Sequence, residues 1–256
     1  MAQACRILAD QGLVENVLGH VSARVDQHTA LVRCRGTRER GLASTTPDDI
    51  RLCTFDGQVL DDVTDTYRAP FELAIHSAAY RRNPAVHAVV HAHPRSALLA
   101  GLATIPLRPV FGAYNIPALS LARRGVPVWE RSILITRDEL ASSMVEEMGD
   151  SQVCLLRGHG IVAVGDGVRQ ATVRAVDLHV LCEVTLELVR LGAAPPVVPE
   201  LDLVELPDLG SSFNDELLWN YYVQHEANSR QSPAHQGGQQ TTEAHGRVGP
   251  SNTGTP

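Results

Sequence analysis

The chain has no Cys-x-x-Cys pair, no internal repeat and no apolar run approaching the roughly 20 residues of a membrane-spanning helix. Its five cysteines, Cys5, Cys34, Cys53, Cys154 and Cys182, are odd in number and widely spaced, so they read as reduced, mostly packing thiols in a cytoplasmic protein. The opening residues, MAQACRILAD, lack the apolar core of a secretory signal. Positive charge is not in excess: the formal net charge is -7, which argues against a nucleic-acid surface. What remains is an ordinary globular composition, 44% hydrophobic over 256 residues, suited to one large domain with ample core.

The organising stretch is AVHAVVHAHP, residues 85–94, a run of small and β-branched residues between Pro84 and Pro94 that reads as a buried strand. Residues two apart on a strand share a face, about 7 Å apart along the chain. His91 and His93 therefore present two imidazoles to one side, a spacing that suits two ligands of one divalent metal and equally a pair of hydrogen-bonded edge histidines.

Around this strand the pattern alternates. A helix is expected over 3–12, a strand after Gly19, and another over 31–36 that leads into an arginine-rich loop holding Arg33, Arg35, Arg38 and Arg40. Asp56 and Gly57 mark a hairpin. Pro70 is placed as a first helical residue with Glu72 in the first turn, where a carboxylate favours the helix dipole whatever else it does. Short helices are expected over 96–102 and 138–148, short strands joined by tight loops over 104–136, and strands at 153–156 and 161–164. Between those two strands His159 lies flanked by Gly158 and Gly160, free to project from a sharp turn. A long helix over 168–191 and a last one over 214–227 complete a domain of residues 1–227. Residues 228–256, mostly Ser, Gln, Gly, Thr, His and Pro, read as a disordered low-complexity tail. The fold class implied is α/β, with a mixed, mainly antiparallel sheet.

GHVSAR at 19–24, the glycine-ended arginine loop, Glu72 in a Glu-x-x-x-His, His-x-His and Gly-His-Gly together resemble the class II aldolase/adducin-like family, from the first helix to about residue 227. The resemblance implies a three-layer α/β/α fold and one divalent metal (Zn, or Mn, Fe or Co) held by His91, His93 and His159. It also implies Glu72 as acid/base beside the metal, Tyr114 and Tyr221 or Tyr222 as site tyrosines, and a tetramer with sites at subunit interfaces. For this family Met1 stands unusually close to the first motif, which suggests a truncated first helix.

The departures from that family's sugar-phosphate aldolases bear on substrate. Their Ser-Ser pair before the Glu is here Pro70 and Phe71; their Thr-Pro-[Ser/Thr]-Gly loop is here Arg33, Cys34, Arg35 and Gly36; their Asn is here His20. Hydroxyl donors are replaced by guanidinium forks, which match carboxylates, and by an aromatic ring. The variant resembles the branch that decarboxylates dihydroxyphthalates or hydroxypyridine dicarboxylates. The expected activity is a carboxy-lyase on an ortho-hydroxy aromatic dicarboxylate, a small-molecule substrate. Glu72 would be the proton donor, its pKa raised by Phe71. Arg35, with Arg33 or Arg38, would hold the second carboxylate, beside Gly36, and His20 or Tyr114 the ring hydroxyl. The alternatives are an aldolase or dehydratase acting on a small hydroxy-carbonyl or sugar phosphate, and a non-catalytic adducin-like module.

Overall fold

The computed structural model describes residues 1–231. Seven strands form one sheet in the order β3-β2-β1-β4-β7-β6-β5. They are β1 (His20–Arg24), β2 (Thr29–Arg33), β3 (Ile50–Thr54), β4 (Ala88–Ala92), β5 (Val128–Trp129), β6 (Val153–Leu156) and β7 (Gly160–Gly165). Every neighbouring pair is antiparallel except β5 with β6, so the sheet is mixed and mainly antiparallel.

Period-two alternation divides the core into two layers. Ala88, Val90 and Ala92 of β4 pack on one face against α1 (Ala2–Asp10), α3 (Arg95–Leu102), α4 (Ile116–Ala122) and α6 (Val168–Arg190). Val89, with Val162 and Val164 of β7, packs on the other face against α2 (Leu73–Arg82) and α5 (Asp138–Met148). His91 and His93 have the parity of Val89. They therefore belong to the α2 face, where the core gives way to polar groups.

The region 104–136 differs from the expectation of short strands. It holds α4 and only a two-residue strand, β5. Asn115 caps α4 by accepting the Ala118 N–H at 3.0 Å, and Pro117 stands in the first turn, so a proline read as a breaker here starts a helix. Pro70 likewise lies in the turn before α2, whose N-cap is Glu72. A short helix, α7 (Glu200–Glu205), was not anticipated, and the last helix, α8 (Leu218–Gln231), runs past residue 227. The tail expected from 228 onward thus begins helical; residues 232–256 lie outside the described residues. No helix among the described residues is long and apolar enough to cross a membrane.

Glycine is required on both sides of His159. Gly158 has φ +62°, and a Cβ there would stand 2.6 Å from Ser132 Oγ. A Cβ on Gly160 would stand 2.2 Å from the carbonyl oxygen of Ala92, on the neighbouring strand. Gly160→Ala must therefore push β7 off β4 where the histidines meet. The expected cost is about 1–3 kcal/mol or more, read as a lowered denaturant midpoint; an unchanged midpoint would show that the strands are not held this closely.

Candidate metal centre

Glu72, His91, His93 and His159 each offer a ligand atom, and these atoms all lie within 4.8 Å of one another. Three segments of the chain deliver them. His91 comes from β4, His93 from the residues that follow it, His159 from the β6–β7 turn and Glu72 from the N-cap of α2. Although Glu72 occupies a cap position, its carboxylate makes no bond to its own helix. Instead Oε1 accepts the Ile135 N–H at 2.8 Å, and Oε2 faces His159 Nε2 at 3.3 Å and His91 Nε2 at 3.6 Å.

The donor set fits a cation by its unspent lone pairs. His91 Nδ1–H donates to the Ile161 carbonyl at 2.9 Å, which fixes its tautomer and leaves the Nε2 lone pair directed at the cluster. Nε2 of His93 lies 2.8 Å from that same nitrogen. Both ring nitrogens of His159 are buried without a hydrogen-bond partner, an arrangement that a ligand would relieve. Three imidazoles suit a divalent metal with a position left for substrate, the carboxylate standing beside them.

Burial, reinforced by the neighbouring imidazoles, holds His93 down at about 3 and His20 well below its usual range. Burial also lowers His91, although the Glu72 carboxylate opposes the shift. For Glu72 the expected rise is not found. Burial alone would raise its pKa, but His159 and His91 facing the carboxylate bring it well below the ordinary value. Phe71 does not act on it, because its side chain is 81% exposed. Where the chain enters a helix cap, consecutive residues turn opposite ways.

The remaining expected residues separate. His20 is buried beside the cluster, directly across from His91 in the β1–β4 register, with ring centroids 4.9 Å apart. Arg35 is half-buried and donates to the Val17 carbonyl at 3.1 Å; its charge also contributes to the lowering of His93. Gly36 backs onto the Tyr67 ring. Arg33 is 3% exposed and already committed: it donates to both oxygens of Glu39, at 2.7 and 2.5 Å, closing the arginine loop on itself. Arg38 is exposed. Tyr114 is 79% exposed, with its ring contact to Phe111. Tyr222 is buried and Tyr221 exposed. Cavities between α1, α3 and α6 and between α2 and α5 share no residue with the cluster.

Three buried residues to which the sequence analysis gave no role adjoin the site: Ser22 of the GHVSAR motif, His76 of the Glu-x-x-x-His motif, and Tyr80. His76 bonds His20, Ser22 bonds His76, and Tyr80 bonds Ser22. The available signal was on α2, where Glu72, His76 and Tyr80 recur at i, i+4 and i+8 and so share one face.

A mixed sheet that gathers three histidines and a carboxylate at one strand end is an α/β arrangement suited to a divalent cation. The profile of the Class II Aldolase and Adducin N-terminal domain matches residues 1–186, and the chain belongs to that family. It is 43% identical over 223 residues to a 3,4-dihydroxyphthalate decarboxylase of Arthrobacter keyseri, covering 86% of this chain and 90% of that one. It is 42% identical over 225 residues to a protein of the same description from Rhodococcus jostii, covering 87% and 93%. Among solved structures it is similar to an L-fuculose 1-phosphate aldolase from Glaciozyma antarctica (TM-score 0.73, 20% identity, 90% and 87% covered). It is also similar to an aldolase II superfamily protein from Pseudomonas syringae (TM-score 0.74, 20% identity, 89% and 90% covered). At those identities the structural likeness concerns the fold.

His76 and His93 both titrate near 3 in the fold, against 6.5 in an unperturbed side chain. The unfolded chain therefore takes up protons that the folded chain refuses. The stability these histidines contribute is complete above about 6.5 and is lost as pH falls toward 3; Glu72, lowered from 4.5, acts in the same direction at the acid end. Chelator-treated protein is expected to show a denaturant midpoint that falls from about pH 7 to about pH 5. A flat profile would contradict neutral burial of the cluster.

Proposed function

We propose that the chain is a divalent-metal-dependent carboxy-lyase that removes CO2 from an ortho-hydroxy aromatic dicarboxylate, with 3,4-dihydroxyphthalate the first substrate to test. The observation that carries this reading is the buried Glu72, His91, His93 and His159 cluster, in a chain 41–43% identical over most of its length to proteins of that description. His91, His93 and His159 would hold the cation and Glu72 would stand beside it. When bound, the cation supplies a Lewis acid and a template for adjacent substrate oxygens. All 22 basic residues counted as Lys+Arg are arginine, so no lysine side chain is present to form an imine with a substrate carbonyl.

Glu72 enters ionised, and its role follows from that. Its carboxylate takes the proton of the ring hydroxyl and delivers it to the ring carbon that bears the departing carboxylate. The C–C bond then breaks, CO2 leaves, and the bonding pair returns through the ring to the hydroxyl oxygen, which takes a proton from solvent. Ile135 N–H holds the other carboxylate oxygen, so the shuttling oxygen stays aimed at the histidines. Arg35, whose side chain spends one N–H on the Val17 carbonyl, keeps donors free for the carboxylate that is not lost; Arg33, neutralised by Glu39, does not. The retention of all four polar groups weighs against a non-catalytic module.

Phe71 and Leu134, the chain neighbours of Glu72 and Ile135, turn outward at 81% and 58% exposure. They support a homo-oligomer in which a second copy covers the site, the tetramer being the form the family resemblance suggests.

His91→Ala, His93→Ala and His159→Ala are each expected to purify with much reduced metal, whereas Glu72→Gln keeps the metal and loses turnover. Full metal content in the His159 variant would remove it from the ligand set. Arg35→Met is expected to lower kcat/KM by about 2–3 kcal/mol, roughly 30- to 150-fold. That loss should shrink for an analogue without the second carboxylate. Equal losses for both substrates would refute the dicarboxylate assignment.

A further inference from the structure

Four buried polar side chains run in series away from the metal cluster. His20 Nδ1 lies 2.7 Å from His76 Nε2, His76 Nδ1 lies 2.5 Å from Ser22 Oγ, and Ser22 Oγ lies 2.6 Å from the Tyr80 hydroxyl. All four residues are at most 4% exposed. Beyond this series, neither hydroxyl and neither imidazole has another hydrogen-bond partner among the described residues. The arrangement follows from two periodicities: His20 and Ser22 share a face of β1, and His76 and Tyr80 share a face of α2.

The two imidazoles are buried, hydrogen-bonded to each other and without a carboxylate partner, so each is neutral and carries one N–H. Each hydroxyl also carries one proton. If His76 held its proton on Nδ1, it would donate to Ser22, and either the Ser22 or the Tyr80 proton would then face no acceptor. Four protons share three links, so one is always left over. With the proton of His76 on Nε2, Tyr80 donates to Ser22, Ser22 to His76 and His76 to His20 Nδ1, and the proton left over lies on the ring that faces His91 rather than on an enclosed hydroxyl. The His20 proton must then sit on Nε2. Since leaving a buried hydroxyl proton unpaired is costly, the chain of bonds has one favoured direction.

We propose that Ser22 and His76, with Tyr80 as the outer donor, are positioning residues that fix His20 as an Nε2–H donor beside His91. A donor so fixed serves a substrate oxygen that carries or gains negative charge, and offers nothing to a group that needs an acceptor. Resting on the carboxy-lyase reading, this selects His20 over Tyr114 as the partner of the ring oxygen. Ser22 is the decisive link, because its proton alone settles the tautomer of His76. Tyr80 reinforces the direction without being needed for it.

Nitrogen-15 NMR of the full chain, with labelled histidine and assignment by His20→Gln, reads the tautomer with no substrate present. The wild type is expected to show protonated Nε2 and an unprotonated Nδ1 at His20. Ser22→Ala should give a mixture of tautomers, Ser22→Thr should restore the single form, and Tyr80→Phe should keep it. In turnover, Ser22→Ala is expected to lose about 10- to 100-fold in kcat, the range for residues that orient a functional histidine, with little change in KM or metal content. A wild-type proton on Nδ1, or an unchanged tautomer in Ser22→Ala, would overturn the proposal, and the wild-type spectrum decides even if that variant does not fold. A tautomer change that leaves kcat intact would overturn the positioning role. Absence of decarboxylation by the wild type, with the tautomers as expected, would instead overturn the carboxy-lyase reading.

Discussion

The antiparallel pairing of β4 with β7 is the constraint on which the site depends. It sets His91 opposite Val162 and brings the Ile161 carbonyl within 2.9 Å of His91 Nδ1. That bond decides which nitrogen of His91 faces the cluster. The same pairing carries the β6–β7 turn past the end of β4, so that His159 meets His93 across the close approach of Gly160 to Ala92. Ladder hydrogen bonds and glycine packing therefore bring three histidines together as no single local motif could.

The second contribution comes from α2, which lays one polar face on the sheet. Glu72 ends that face at the cluster, while His76 and Tyr80 continue it beneath β1. His91 and His93, whose pKa values burial lowers, lie beside the ionised Glu72, and a divalent cation would offset that carboxylate's charge. The unspent nitrogens of His159 point to the same deficit. Electrostatics and hydrogen-bond satisfaction thus agree on what the fold is prepared to bind.

Much of this was legible in the sequence, because it rests on short periods. The shared face of His91 and His93 follows from the two-residue repeat of a strand and the turn at His159 from its glycines, while their grouping as one set came from the family resemblance. The sheet class followed from strands bounded by turn residues. What was not legible depends on return paths through space. Arg33 and Arg35 look alike in sequence, yet Glu39 folds back onto one and leaves the other. Phe71 was assigned to the site by its match to the family's Ser-Ser pair, and its side chain turns outward beside Glu72. The raised Glu72 pKa expected from that adjacency gave way to the histidines that face the carboxylate. The proline-rich 104–136 segment hid α4 because Pro117 reads as an interruption until Asn115 is seen capping it. The link between Ser22, His76 and Tyr80 was missed because it joins a strand face to a helix face, each with its own period.

The central claim is that the cluster supports metal-dependent loss of CO2 from an aromatic acid. It is tested most directly by following CO2 and ring product from 3,4-dihydroxyphthalate with purified protein, before chelation, after it, and after adding back Zn, Mn, Fe or Co. The expected result is one CO2 per substrate consumed, abolished by the chelator and restored by a divalent metal. Cleavage of a phosphorylated sugar faster than any aromatic acid, or CO2 release indifferent to chelation, would contradict it.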